Sequence, residues 1–235
     1  MRLSSMIERT CIKDNMIRLT KHKKTDSEIA AIKKLIGKNR ISIVDVGAHN
    51  GDFIERIKKS FEIQHAVLFE PIPDCFDKLN QRYTSYKVIN QVVSDTPGMV
   101  TFNVNEQKQT SSMFNFLDIE ELSNVDKAVR DQVRIDATTL DIELKQFGTV
   151  DLLKVDVQGA EHLVFKGGKN TLPRTEVIYV EVSFKKLYEK SSDFFDIHHF
   201  LNEQGFLLRE IFSGHRSEIG ELLQANAIFF NSKKS

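Results

Sequence analysis

Cysteine is nearly absent from this 235-residue chain: Cys11 and Cys75 are the only two, too few for a disulfide framework or a zinc site. An excess of either charge is missing as well. Lysine plus arginine and aspartate plus glutamate each number 33, so the whole-chain charge offers no argument for a nucleic-acid partner. No apolar run approaches the roughly 18 residues needed to span a bilayer, and no signal-peptide core opens the sequence. With a reduced-thiol chemistry expected for both cysteines, these absences point to a cytoplasmic location. Repeats and low-complexity tracts are lacking too. What remains, 40% hydrophobic and 28% charged residues, describes a globular protein of one α/β domain with appendages.

Residues 1 to 24 hold seven basic side chains against Glu8 and Asp14, and read as an exposed arm or leading helix. A helix is expected over Ser27 to Ile36, with Ile29, Ile32 and Ile36 on one face. From Ile41 the pattern alternates strand and helix. Ile41 to Val46 is a β-branched run of the kind a buried parallel strand shows. Ile54, Ile57 and Phe61 then recur at helical spacing. His65 to Phe69 reads as a second strand, Phe76, Leu79 and Tyr83 as a helix with Pro73 in its first turn, and Tyr86 to Val93 as a third strand. Met99 to Val104 looks like an extra strand, and residues 105 to 132 like a loop and short helix covering a site. Val150 to Asp156 and Val177 to Val182 are further core strands. A short helix runs between them to Gly167-Gly168, and another is marked by Phe194, Ile197, Phe200 and Leu201. Leu207 to Phe212 and Ala225 to Phe230 fit a closing antiparallel pair. The order implies a mostly parallel α/β sheet with helices on both faces.

In such a sheet, ligands bind beyond the carboxyl ends of the strands. The first strand runs into Asp45-Val46-Gly47-Ala48-His49-Asn50-Gly51, whose glycines let the backbone turn and approach a ligand, with a helix N-terminus following. Glu70 closes the second strand, 23 residues after Gly47, where an acidic side chain accepts ribose hydroxyls in dinucleotide folds. Pro71 follows it. Asp95, with Ser94 beside it, ends the third strand toward an adenine edge, and Asp156 ends the fourth near a reacting centre. The ligand is thus of adenosine type. A nicotinamide fingerprint fails, because His49 and Ile54 stand where glycines are needed. A Walker loop fails too, because Asp52-Phe53 follows Gly51.

These residues resemble the FkbM family of class I S-adenosylmethionine-dependent methyltransferases. The match lies in Asp45 to Gly51, Phe69-Glu70-Pro71, Val93-Ser94-Asp95, Thr139-Leu140-Asp141, and above all Leu153-Lys154-Val155-Asp156-Val157-Gln158-Gly159-Ala160-Glu161 with the later Glu181. The resemblance implies a Rossmann-like, seven-stranded, mostly parallel sheet with an antiparallel C-terminal pair. It places the catalytic domain over 38–235, with an insertion near 98–135, after a basic arm and helix over 1–37. It implies S-adenosyl-L-methionine as cofactor, touched by Asp45, Gly47, Asn50, Gly51, Glu70 and Asp95, with Asp156 at the boundary to the acceptor. Ser111-Ser112 resembles the family's serine pair in a capping loop. The acceptor class it implies is a hydroxyl on a sugar, glycan precursor or natural product.

An acceptor hydroxyl needs somewhere to lose its proton. Asp156, Glu161 and Glu181 compete for that role, with His162 behind them. Asp156 and Glu181 end adjacent strands, so Mg²⁺ between them is an alternative, but no third ligand stands at suitable spacing and no metal is expected. His49, His198 and His199 are read as non-ligands. Two rivals stay open on sequence alone: a scaffold that binds the cofactor without catalysis, and an NAD-dependent oxidoreductase.

Overall fold

The computed structural model describes residues 24–105, 110–115, 117, 129–212 and 214–234. Most of the basic arm, Cys11 and most of the expected short helix after residue 105 lie outside them. The first helix, α1 (Lys24–Ile36), precedes β1 (Arg40–Val46), α2 (Asp52–Lys58), β2 (Glu62–Phe69), α3 (Pro73–Arg82) and β3 (Lys87–Ile89). Proline at the start of α3 supplies the fixed φ of a first helical turn and forfeits no hydrogen bond there. β7 (Val150–Val155) and β8 (Thr175–Ser183) continue the parallel arrangement, and β10 (Gln224–Asn231) runs antiparallel between β8 and β9 (Phe206–Phe212).

The seven-stranded sheet has the order β3-β2-β1-β7-β8-β10-β9. The chain builds outward from β1 to β3, then returns to lay β7 on the other side of β1. Strand order therefore reverses between β1 and β7, and the crevice beyond their carboxyl ends is where a ligand seats. β7 is buried at all six positions, as a central parallel strand covered on both faces must be. Odd positions of β1 (Ile41, Ile43) pack under α1, α2 and α3. Even positions (Val44, Val46) pack toward α4 (Leu140–Glu143), α5 (Glu161–Lys166) and α6 (Phe194–Glu203). Ile54 and Ile57 of α2 have no exposed surface, each burial contributing about 1.5–3 kcal/mol. Asp193 caps α6 and exchanges hydrogen bonds with Asp196, which defines its start.

Two features depart from the sequence reading. The third strand is not continuous over Tyr86 to Val93: β3 stays in the main sheet, while β4 (Val92–Val93) joins a second sheet ordered β4-β6-β5. Asn90 sits at the break and donates its side-chain amide to the carbonyls of Glu70 and Pro71, at 2.9 and 3.0 Å. The second departure is β6 (Val129–Thr138), which pairs antiparallel with β5 (Gly98–Asn105) and begins inside the stretch 105 to 132 that the sequence read as a loop and short helix. This small sheet packs Val92, Phe102 and Ala137 against Ile72 and the buried Cys75 of α3. No helix among the described residues is long and apolar enough to cross a membrane.

Candidate functional site

Gly47 leaves β1 with φ +79°, and a Cβ there would collide with the carbonyl oxygen of Asp156. Only glycine lets the ends of β1 and β7 touch at this point. Gly51 (φ +82°) turns the chain into α2 as its N-terminal cap, with the Tyr83 phenol 2.7 Å from where a Cβ would sit. Between them, the His49 amide donates to Glu70 Oε2 at 2.7 Å, and the Ile72 amide donates to Glu70 Oε1 at 2.9 Å. One carboxylate thus ties the glycine loop to the turn after β2. Burial raises the Glu70 pKa to about 7 against the pull of those two amides and of Lys154.

Asp45 and Lys154 are direct cross-strand neighbours on β1 and β7. Asp45 has no exposed surface, and the Lys154 ammonium lies 3.1 Å from its Oδ1 and 3.8 Å from Asp156 Oδ2. Desolvation opposes the Lys154 charge, but Asp45 and Asp156 outweigh it and raise its pKa. The ammonium also donates to the Gly47 carbonyl at 2.5 Å. Asp45 therefore lies beneath the glycine loop, bracing it through Lys154.

Two clefts meet at this loop, with Gly47, His49 and Asp156 in the wall of each. The first is lined further by Glu70, Pro71, Ile72, Gln91 and Ser111. Ser94 and Asp95 do not line it. Ser94 is buried with its amide bonded to the Thr138 carbonyl, and Asp95 is exposed. The chain reaches this cleft instead with Gln91 to Val93, because β4 has left the main sheet. The second cleft, about 260 Å³, opens on the α1/α2 face and is lined by Asn50, Arg56, Tyr179, Glu181 and Asn226.

The three carboxylates that compete for a proton are separated by their surroundings. Glu161 Oε1 accepts from the amides of Val157 and Gly159, both at 3.1 Å. It clamps the turn after β7 and lines neither cleft, and burial lifts its pKa to about 7. Asp156 is partly exposed and belongs to both clefts. Glu181 faces the second, and burial together with Asp156 holds its pKa well above the carboxylate range. Gln158, which the sequence analysis passed over, joins the two: its Nε2 donates to Asp156 Oδ1 at 2.8 Å and to Glu181 Oε2 at 3.0 Å. Tyr188, equally unforeseen, donates to Gln158 Oε1 at 2.8 Å. The signal available for Gln158 was its place between Asp156 and Gly159, and Tyr188 offered none.

Ser112 Oγ donates to the Gln158 carbonyl at 2.7 Å, and Ser111 Oγ accepts from the Asn105 amide at 3.0 Å. The serine pair thus holds its segment across the turn after β7. His162 stacks on Phe114, and burial lowers its pKa. His198 packs between Phe194 and Phe229, and His199 pairs with Glu203. Asp141 accepts from the amides of Asn170 and Thr171, a tie within the fold. Among the described residues, no three histidine, cysteine or carboxylate side chains are grouped to hold a metal ion.

A family model described as the Methyltransferase FkbM domain matches residues 45–208. The chain is 29% identical over 153 residues to Methyltransferase sdnD of Sordaria araneosa, which covers 53% of this chain and 59% of that protein. It is 54% identical over 41 residues, 17% of each chain, to 2-O-methyltransferase NoeI of Sinorhizobium fredii. The matches therefore span less than two thirds of either curated relative. A crystal structure of Methyltransferase FkbM from Methylobacillus flagellatus KT superposes with a TM-score of 0.51 at 14% identity, covering 82% of this chain and 44% of that one. At that identity the likeness is one of fold.

Proposed function

Since the chain belongs to the FkbM methyltransferase family, we propose that it is an S-adenosylmethionine-dependent O-methyltransferase acting on a hydroxyl of a sugar, glycan precursor or natural product. The observation that carries the reading is the pair of clefts sharing Asp156, one built around Glu70 and the other around Glu181. The cofactor fits the first. Its wall has a bare backbone at Gly47, and each Glu70 oxygen holds one amide, with capacity for a ribose hydroxyl besides. When bound there, S-adenosylmethionine supplies a methyl group on a positively charged sulfur, open to in-line displacement.

The chain's own residues orient the partners and take the proton. Glu70 holds the ribose, with Pro71 and Gln91 flanking the nucleoside. Gly47, Asn50 and Gly51 shape the loop that carries the methionine end, and Asp45 with Lys154 keeps that loop from sagging. An acceptor in the second cleft meets Asp156, partly exposed, and Glu181. Asp156 is the proton acceptor in this reading, because it alone of the three carboxylates lines both clefts. The short match to a 2-O-methyltransferase supports oxygen as the accepting atom.

Calorimetry with S-adenosylmethionine, NAD and ATP in parallel tests the cofactor, and S-adenosylhomocysteine release over a panel of hydroxylated sugars and lipid-linked glycans tests the reaction. Asp156→Asn is expected to lower turnover by at least about a hundredfold while cofactor affinity changes little. Equal losses of both would make Asp156 a cofactor contact instead.

A further inference from the structure

We propose that Gln158 is a positioning residue: its carboxamide spans Asp156 and Glu181 and holds the two carboxylates side by side where the clefts meet, with Tyr188 fixing which end of the amide faces them. This rests on the reading of Asp156 as proton acceptor. The geometry is fully committed. The amide nitrogen has two hydrogens, and Asp156 Oδ1 and Glu181 Oε2 take them at 2.8 and 3.0 Å. The amide oxygen accepts the Tyr188 hydroxyl at 2.8 Å. Rotating the amide by half a turn would set that oxygen against two carboxylates and leave the tyrosine proton facing an N–H group, so the tyrosine selects one orientation. Tyr188 is 2% exposed, packed with Leu187 and Leu223.

The backbone is bound as tightly. Gln158 has φ +55°, in the left-handed region that non-glycine residues rarely enter. Ser112 Oγ holds its carbonyl, and Glu161 holds the amides of Val157 and Gly159 on either side. A strained residue fixed from four directions, with its side chain between two carboxylates, is organised for more than packing. Glu181 is also held by Gln224, whose Nε2 donates to the same Oε2 at 3.0 Å. Facing the pair are Lys154 from β7, Glu161 from α5 and Tyr188 from the loop after β8, while Arg56 and Asp52 of α2 line the same cleft. Without the amide, two like charges would meet with less compensation, and Glu181 would keep its proton to higher pH.

Carbon-13 carboxyl NMR titration of the cofactor-free full chain reads this without any acceptor, with Glu181→Gln and Asp156→Asn used to assign the signals. Gln158→Leu is expected to move the Glu181 midpoint upward by about one pH unit, and Tyr188→Phe to move it in the same direction by less. Gln158 itself lines the first cleft, so the binding control is Tyr188→Phe, whose residue lines neither cleft: it should keep S-adenosylmethionine affinity within about threefold by calorimetry, a change of less than 1 kcal/mol. In turnover both variants should lose kcat with the acid limb of the pH profile displaced, and Tyr188→Phe should do so with KM for the cofactor unchanged. Midpoints that stay put in both variants overturn the proposal, as does a downward shift. Should Gln158→Leu not fold, Tyr188→Phe, which removes a single hydroxyl, decides alone. A wild-type chain that binds no S-adenosylmethionine would sink the functional reading and leave the titration result intact.

Discussion

Glu70 is a brace, and in the proposed reading it is a ligand as well. Both its oxygens already hold backbone amides, so its carboxylate is placed before any ligand arrives. Its pKa of about 7 follows from burial, and it puts the change of charge inside the physiological range. A ribose hydroxyl donates more strongly to an ionised carboxylate than to a protonated one. Affinity for S-adenosylmethionine is therefore expected to rise between pH 6 and pH 8, and calorimetry across that range reads it. Glu70→Gln should weaken binding by about tenfold or more at pH 8, consistent with a lost charged hydrogen bond, and should flatten the pH dependence. A variant that binds as tightly and with the same pH slope would remove Glu70 from the ribose site. The same residue-by-residue logic separates Asp156 from Glu161, its competitor in the sequence: one is partly exposed in both clefts, the other is spent on two amides.

At the scale of elements, the turns after β1 and β7 hold each other. Gly47→Ala would place a methyl group against the Asp156 carbonyl on a backbone of φ +79°, and strain of this kind costs roughly 1–3 kcal/mol. A fall of several degrees in Tm together with loss of cofactor binding is expected, and unchanged binding would refute the close approach. The turn after β7 carries its own pH dependence through Glu161. Its folded pKa, about 7, exceeds the ordinary 4.5, so the folded state holds the proton more tightly than the unfolded chain does. That contribution is complete below pH 4.5 and is lost as pH rises to 7, on the order of 3 kcal/mol in all. Denaturant melts of the cofactor-free protein should show stability declining over that interval, and Glu161→Gln should make the decline shallower. Elements such as β1 and β7 were legible because central parallel strands demand unbroken apolar runs. The break between β3 and β4 was not, because the Asn90 amide acts on carbonyls 19 and 20 residues away. β6 carried a signal that went unread: Val133, Ile135 and Ala137 alternate with the exposed Gln132, Arg134 and Asp136, as a half-buried strand does. Gln158 and Tyr188 escaped notice for the same reason as Asn90: an amide's role depends on which partners the fold delivers to it.

At the scale of the whole molecule, the charges around the second cleft bear on which acceptor the proposed reading favours. The cleft's two cations are already engaged, Lys154 with Asp45 and Arg56 with Glu28 of α1 at 2.6 Å. The acidic groups in its lining are Asp52, Asp156 and Glu181, the last held in its protonated form by burial and Asp156. A phosphate or carboxylate entering beside them would meet like charge in a partly desolvated space, where the penalty exceeds that in water. A neutral polyhydroxyl compound would instead meet acceptors and amide groups such as Asn50 and Asn226. Neutral glycosides are therefore expected to be methylated at least about tenfold more efficiently, by kcat/KM, than their phosphorylated counterparts, a difference of about 1.4 kcal/mol. The check is S-adenosylhomocysteine release measured for matched pairs that differ only in the phosphate. Asn226→Asp, which adds a further carboxylate beside Glu28, should widen the gap between the members of each pair while cofactor affinity holds. Preference for the phosphorylated member would mean that Arg56 exchanges Glu28 for the substrate, and the charge of the cleft would have to be reckoned with α1 displaced.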